Sequence, residues 1–168
     1  MIIFAPISSN FSVVATTNKF IVKDNFVVNT EDSAVVKITC ISEEFKNRFI
    51  NKIEDPSTHS IICGRNLIKD SVDEPILSEL GGQEKAETTL TEIYAMMKNQ
   101  AEGNAGIILT NECANIFYAR DINNTLCVVT IRWFSDGWDV GASSVEDPDK
   151  WLADDRVFSR NSSEAKNA

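Results

Sequence analysis

Two turn-forming segments in the second half of the chain constrain the fold more than any other feature. The segments Asp121-Ile122-Asn123-Asn124 and Ser135-Asp136-Gly137-Trp138 separate three runs between residues 116 and 142 in which apolar and polar residues alternate. Alternation at every second position is typical of a strand with one face in the core, and Asp-Gly favours a tight reversal. The sequence therefore predicts a three-strand antiparallel meander.

The Asp136-Gly137 dipeptide sets the register that we predict for the second hairpin. It suits the positive φ angles of a type I′ turn, which would place Trp133 opposite Val140 and Ile131 opposite Ala142. One face of the two strands then carries only uncharged side chains, and we expect that face to be buried. Its residues are Cys127, Val129, Ile131, Trp133, Ser135, Trp138, Val140 and Ala142.

The first hairpin has two candidate registers. Its loop either pairs Arg120 with Thr125 or, through a tighter Asn-Asn turn, pairs Ile122 with Thr125. The two registers differ by two residues, so the facing of the side chains is the same in both. Each predicts that Ile116 and Tyr118 lie on the same face of the meander as Cys127 and Val129.

Runs rich in valine, isoleucine and phenylalanine indicate further strands. In the first part of the chain they cover residues 1–5, 11–16, 19–28 and 34–41. Residues 60–63 and 66–68 fit a strand interrupted by Gly64, and residues 156–159 fit a final strand.

Two segments have the apolar spacing of amphipathic helices. The first begins after Ser42, a capping residue, and ends at Asp55-Pro56. The second follows Gly81-Gly82, and Thr88 or Thr89 could cap a later start of the same helix. The apolar stripes are Phe45, Phe49, Ile50 and Ile53 in the first helix and Leu90, Ile93, Tyr94 and Met97 in the second.

Length and composition bound the domain organisation. A chain of 168 residues with 43% hydrophobic content is long enough for one ordinary core. We expect a single α+β domain over residues 1–160, followed by a flexible polar tail over residues 161–168. In this domain two principal helices pack against one face of a mainly antiparallel sheet that ends in the C-terminal β-meander. Two units joined near Gly81-Gly82 are the alternative.

The net charge of −9 and the pI near 4.6 bear on the partners. Binding to a phosphate backbone needs a concentrated basic face, so nucleic acid is not an expected partner. The same acidic balance favours a protein partner with a basic surface. The first residues lack the basic leader and long apolar centre of a secretory signal, and no run reaches membrane-spanning length. We therefore expect a cytoplasmic protein that does not contact a membrane.

A cysteine nucleophile is the sharpest catalytic hypothesis. His59 and Cys63 are four residues apart, and an imidazole can activate a thiol. The β-branched residues between them favour an extended strand, where four residues span about 13 Å, so a local pair is disfavoured. His59 could instead meet one of the other cysteines through folding, but buried reduced thiols are the simpler interpretation. The other cysteines are Cys40, Cys113 and Cys127.

An acidic segment near the end of the chain is the main candidate binding site. Its carboxylates do not have the spacing of a calcium-binding loop, and neither a metal nor a cofactor is expected. Trp138 lies beside a turn and Trp151 lies in a polar loop, so that both indoles could be partly exposed at an interface. The predicted binding residues are Trp138, Trp151, Asp147, Asp149, Asp154 and Asp155.

Two classes of function follow from these observations. A noncatalytic protein-binding or regulatory module requires only a surface, and it is the preferred hypothesis. The alternative is a small cysteine-dependent enzyme that uses His59 with one of the four cysteines.

Overall fold

A computed structural model describes residues 2–7 and 9–160. Within these residues the chain forms an eight-stranded sheet, a separate two-stranded ribbon and five short helices. The strands are β1 (Ser9–Val13), β2 (Phe20–Ile21), β3 (Ile38–Ile41), β4 (Ile53–Glu54), β5 (Ser60–Asn66), β6 (Glu87–Thr88), β7 (Asn115–Arg120), β8 (Leu126–Phe134), β9 (Gly137–Ser144) and β10 (Arg156–Arg160). The helices are α1 (Val22–Asn25), α2 (Glu43–Phe49), α3 (Asp73–Glu79), α4 (Gln83–Ala86) and α5 (Leu90–Asn99).

The large sheet is mixed rather than mainly antiparallel. Its strands follow the order β1-β5-β10-β7-β8-β9-β3, and β6 pairs with β7 outside this path. The pairs formed by β10 with β7, β6 with β7 and β3 with β9 are parallel. Strands β7, β8 and β9 form the antiparallel meander that the sequence predicts. The predicted fold class, a mainly antiparallel sheet with two principal helices, is nevertheless wrong.

The centre of the sheet is buried on both faces, which also differs from the prediction of helices on one face. Successive side chains of a strand point to opposite faces, and both faces of β7 and β8 carry buried apolar residues. Phe117 and Val129 pack in a core with α2 and α5. Tyr118 and Val128 pack in a second core with α3 and the segment around Ile3.

Hydrogen bonds confirm the predicted cap of the first helix and, for the second, the later of its two predicted starts. Ser42 Oγ accepts from the Phe45 N–H at 3.1 Å, which caps α2. Thr89 caps α5 through a capping box, because its Oγ1 accepts from the Glu92 N–H at 3.1 Å while the Glu92 carboxylate accepts from the Thr89 N–H at 2.8 Å. The first helix ends earlier than predicted, at Phe49, and Ile53 belongs to β4.

The register of the first hairpin differs from both predicted registers. Arg120 pairs with Leu126, so residues 121–125 form the loop. The Asp121 carboxylate accepts from the N–H groups of Asn123 at 2.8 Å and Thr125 at 3.0 Å, which stabilises this longer turn. One extra loop residue moves Ile116 and Tyr118 to the opposite face, and the prediction for these two residues is wrong.

The second hairpin turns one residue earlier than predicted. Phe134 pairs with Gly137 and Trp133 pairs with Trp138, so Ser135 and Asp136 form the loop. This shift changes the pairing by two residues and leaves the facing unchanged. Gly137 is not among the described glycines with positive φ. A Cβ atom at this position would lie 3.0 Å from the carbonyl oxygen of Lys37, so glycine here permits the close approach of the chain leading into β3.

Several shorter predictions are corrected or confirmed. Residues 19–28 contain only the two-residue β2 and then α1, and Phe4 makes an isolated bridge to Leu67 instead of a strand. Strand β5 runs through Gly64 without interruption, and β10 lies where the final strand was predicted. The predicted tail over residues 161–168 lies outside the described residues. The division of the chain into one domain stays a prediction.

Candidate functional site

Three of the predicted binding residues line one cavity. Asp147, Asp149 and Trp151 border a depression of about 690 Å³ on the surface of β8 and β9. We call this depression the β8-β9 groove. Its floor and walls include Thr130 and Arg132 of β8, Asp139, Gly141 and Ser143 of β9, and Ser42 and Glu44 at the start of α2.

The groove exists because the helical layer over this face of the sheet ends before β8 does. Leu126 and Val128 at the start of β8 are buried in the core formed with α3. Alternate residues further along the same strand, Thr130 and Arg132, continue this face but are only half-buried. The uncovered part of the sheet and the loop that follows β9 therefore form an open polar surface.

The groove carries more negative than positive side chains. Four carboxylates line it, whereas Arg132 and Lys150 are its cations. Arg132 lies directly opposite Asp139 in the register of β8 and β9, and the Glu44 carboxylate already accepts from Arg48 Nε at 2.6 Å. Asp147 and Asp149 belong to the loop after β9, and neither forms a salt bridge with another described residue. The arrangement favours a cationic ligand.

Trp151 is held in the wall of the groove by contacts with the segment before α3. Its backbone N–H donates to the Ser71 carbonyl at 2.8 Å, and the Ser71 N–H donates to the Trp151 carbonyl at 3.0 Å. Its indole Nε1 donates to Asp73 Oδ1 at 2.8 Å. The ring is half-buried, so one part of it remains accessible from the groove.

Asp73 is the centre of this support. Its side chain is 1% exposed, and Oδ1 also accepts from the Tyr118 hydroxyl at 2.7 Å. Oδ2 is buried and has no hydrogen-bond partner within the described residues. Burial raises the pKa of the Asp73 carboxyl although both donated hydrogen bonds lower it, and burial likewise raises the pKa of Tyr118. Asp73 is not among the predicted site residues, and its local signal in the sequence is the Asp-Glu-Pro start of a helix.

The other predicted binding residues lie elsewhere. Trp138 is 0% exposed, packs edge-on against Trp133, and donates from Nε1 to the Gln100 carbonyl at 3.1 Å. The prediction that the Trp138 indole is partly exposed at an interface is therefore wrong. Asp155 is 5% exposed and accepts from the N–H groups of Ala114 and Leu152, both at 2.9 Å. Asp154 is exposed, has a positive φ of 78°, and does not line the groove.

His59 and Cys63 lie in different environments and do not form the local catalytic pair considered above. His59 is exposed and lies just before β5, whereas Cys63 is buried within that extended strand. Burial raises the pKa of the Cys127 thiol, and the net result is a pKa of about 11. Arg48 Nη1, which donates to the sulfur at 3.0 Å, lowers the pKa but does not offset burial. Burial also raises the pKa of Cys113. These shifts oppose the thiolate that a cysteine nucleophile requires.

A second polar cluster surrounds the start of α5 and includes two buried glutamates. Glu54 accepts from the N–H groups of Leu90 at 3.0 Å and Thr91 at 2.8 Å. Glu92 accepts from Ser60 Oγ at 2.5 Å and from the Arg160 guanidinium at 2.9 and 3.0 Å. Glu54 thus caps α5, whereas Glu92 caps the helix and also ties β5 and β10 to it. The contacts of both carboxylates are therefore structural.

Comparison with known proteins gives no relative. No protein-family model matches the chain, and no curated protein or solved structure is significantly similar to it. Residues 2–7 and 9–160 hold no group of three or more histidine, cysteine or acidic side chains that could bind a metal ion. In the same residues no helix is long and apolar enough to cross a membrane.

Proposed function

We propose that this protein is a noncatalytic binding module whose β8-β9 groove takes a basic segment of a protein partner. The observation that carries the proposal is the position of Asp147 and Asp149 beside the half-buried indole of Trp151 in one open groove. Carboxylates attract lysine and arginine side chains, and an indole face binds such cations as well.

The support of Trp151 strengthens this proposal. A ring that is fixed before binding loses little conformational freedom on binding, so its contact area contributes more to affinity. The contacts of Trp151 with Ser71 and Asp73 fix both its backbone and its ring. The side of the groove that Trp151 forms is therefore preorganised for binding.

Titration with a basic peptide tests the proposal. The probe is a short peptide of alternating lysine, arginine and serine, and an equally long peptide with glutamate in place of the basic residues is the reference. We expect calorimetry to detect binding of the basic peptide alone, with an affinity that falls as salt is added. The combined substitution Asp147→Asn and Asp149→Asn should weaken binding roughly 5- to 30-fold, since each exposed charge pair contributes about 0.5–1 kcal/mol.

A matched control separates the groove from net charge. Asp24→Asn combined with Glu31→Gln removes the same two charges at exposed positions that do not line the groove. This variant should bind the basic peptide as the wild type does. Equal weakening in both double variants, or no binding of the basic peptide, contradicts the proposed function.

A further inference from the structure

A second cavity lies on the other side of the loop that carries Asp147. It has a volume of about 590 Å³ and lies between α3 and the residues that follow β9. Val72, Leu77, Val145 and Pro148 give it apolar walls. We call it the α3 cavity.

The edge of the α3 cavity is acidic. Glu74, Glu146 and Asp147 border it, and no lysine or arginine occurs among the described residues that line it. An apolar interior with an acidic edge complements an apolar side chain that has basic neighbours. It does not complement an acidic segment, because like charges would then meet at the edge.

The α3 cavity and the β8-β9 groove belong to one surface. Asp147 in the loop after β9 lines both, so the two depressions adjoin at this residue. The wall of the cavity is also fixed relative to the groove, because Asp73 at the start of α3 accepts the hydrogen bond from Trp151 at 2.8 Å. One extended segment of a partner could therefore reach both depressions.

We propose that the α3 cavity binds one large apolar side chain of the same basic segment that occupies the groove. The inference rests on the proposed function and makes it more specific. The partner segment is amphipathic, with a leucine-like or phenylalanine-like residue that anchors it beside lysine or arginine residues. Burial of this anchor excludes water from the apolar walls, whereas the basic residues provide the attraction to the acidic edge.

Three peptides test the anchor. The first has one leucine among lysine, arginine and serine residues, the second has serine in place of the leucine, and the third keeps the leucine but has glutamate in place of the basic residues. We expect the first to bind the wild-type protein about 10- to 100-fold more tightly than the second. The third should not bind.

A substitution that fills the α3 cavity locates the anchor. Ser78 is exposed on α3 and lines the cavity, so Ser78→Phe should fill it without disturbing the core. We expect this variant to lose the preference for the leucine peptide and to bind the serine peptide as before. Ser33→Phe, the same change at an exposed position that does not line the cavity, should keep the preference.

The failures of the two proposals are distinguishable. Equal binding of the leucine and serine peptides overturns the anchor while the groove still binds basic segments. Tight binding of the glutamate peptide through its leucine overturns the basic character of the partner. Dimerisation that Ser78→Phe abolishes would assign the cavity to a second copy of this chain and overturn the inference. Absence of binding to any basic peptide overturns both proposals.

Discussion

The indole Nε1 of Trp151 donates a hydrogen bond to Asp73 Oδ1 at 2.8 Å across 78 residues of sequence. The Tyr118 hydroxyl donates to the same oxygen at 2.7 Å. One buried carboxyl group thus connects the centre of the sheet, the start of α3 and the wall of the β8-β9 groove. Changes at Asp73 should therefore affect both stability and the groove.

Asp73→Ala should lower the free energy of unfolding by about 1–3 kcal/mol, because it leaves buried donors of Tyr118 and Trp151 without an acceptor. Chemical denaturation measures the change. Tyr118→Phe removes a single donor and keeps the ring, so it should cost less. An Asp73→Ala variant as stable as the wild type would show that the carboxyl group does not hold these elements together.

The contribution of Asp73 should depend on pH in a direction set by its raised pKa. Burial raises that pKa above the ordinary value of 3.8, so the folded state binds the proton more tightly than the unfolded chain. The stability of the wild type relative to Asp73→Asn should therefore fall as the pH rises from 3.8 through the raised pKa. Denaturation curves of both proteins across this range measure the difference in their free energies of unfolding. A stability of the wild type, relative to the variant, that grows with pH contradicts this prediction.

Asp121 should show the opposite pH dependence. Burial raises its pKa, but the N–H groups of Thr125 and Asn123, the Cys127 thiol and Arg48 outweigh burial and bring the pKa below 3.8. The stabilisation is then present above 3.8 and is lost as the pH falls through the lowered pKa. The wild type should accordingly have a higher free energy of unfolding than Asp121→Asn above pH 3.8, and this difference should disappear at low pH. Acid denaturation of both proteins measures it. A constant advantage would exclude titration of this carboxylate.

Two glycines allow backbone strain to be separated from a steric contact. Gly103 and Gly82 have φ angles of 75° and 104°, so alanine is strained at both. A Cβ atom at Gly103 would lie 2.1 Å from the indole of Trp133, whereas nothing lies within 4 Å of one at Gly82. Gly82→Ala should cost about 1–3 kcal/mol of unfolding free energy. Gly103→Ala should cost more, and equal losses in thermal or chemical unfolding would contradict the contact.

Thiol labelling at neutral pH should distinguish the exposed Cys40 from the buried Cys63 and Cys127. Cys40 is exposed and should react first, and Cys40→Ser should abolish this phase. Cys63 and Cys127 are buried, and the pKa of Cys127 is raised to about 11, so both should react only on unfolding. Rapid labelling of either buried cysteine in the folded protein would favour the cysteine-dependent enzyme over the binding module.

Local sequence signals predicted the features that depend on neighbouring residues. Ser42 and Thr89 bind N–H groups three residues ahead, so their caps are visible in the sequence. Asp147, Asp149 and Trp151 meet in one groove because they are close in the chain. The helix after Ser42 ended early because Ile53 pairs with Ile21 of β2, a partner that helical spacing does not reveal.

Features set by distant residues were not predictable in this way. The parallel pairs of β3 with β9 and of β10 with β7 join strands that no short turn connects. The Asp136-Gly137 dipeptide suggested a type I′ turn, but glycine at this position accommodates the approach of Lys37. Asp73 was missed because its partners, Tyr118 and Trp151, lie far along the chain.

The position of β10 has a consequence for how the protein is assembled. This strand pairs with β5 on one side and with β7 on the other, so it joins the β1-β5 ribbon to the remaining strands of the sheet. A chain that stops before Arg156 would leave unpaired backbone groups along one edge of β5 and at the first residues of β7. Such edges pair readily with other chains, so truncated molecules would be prone to aggregate. Nascent chains would have the same tendency until residues 156–160 pair with β5 and β7.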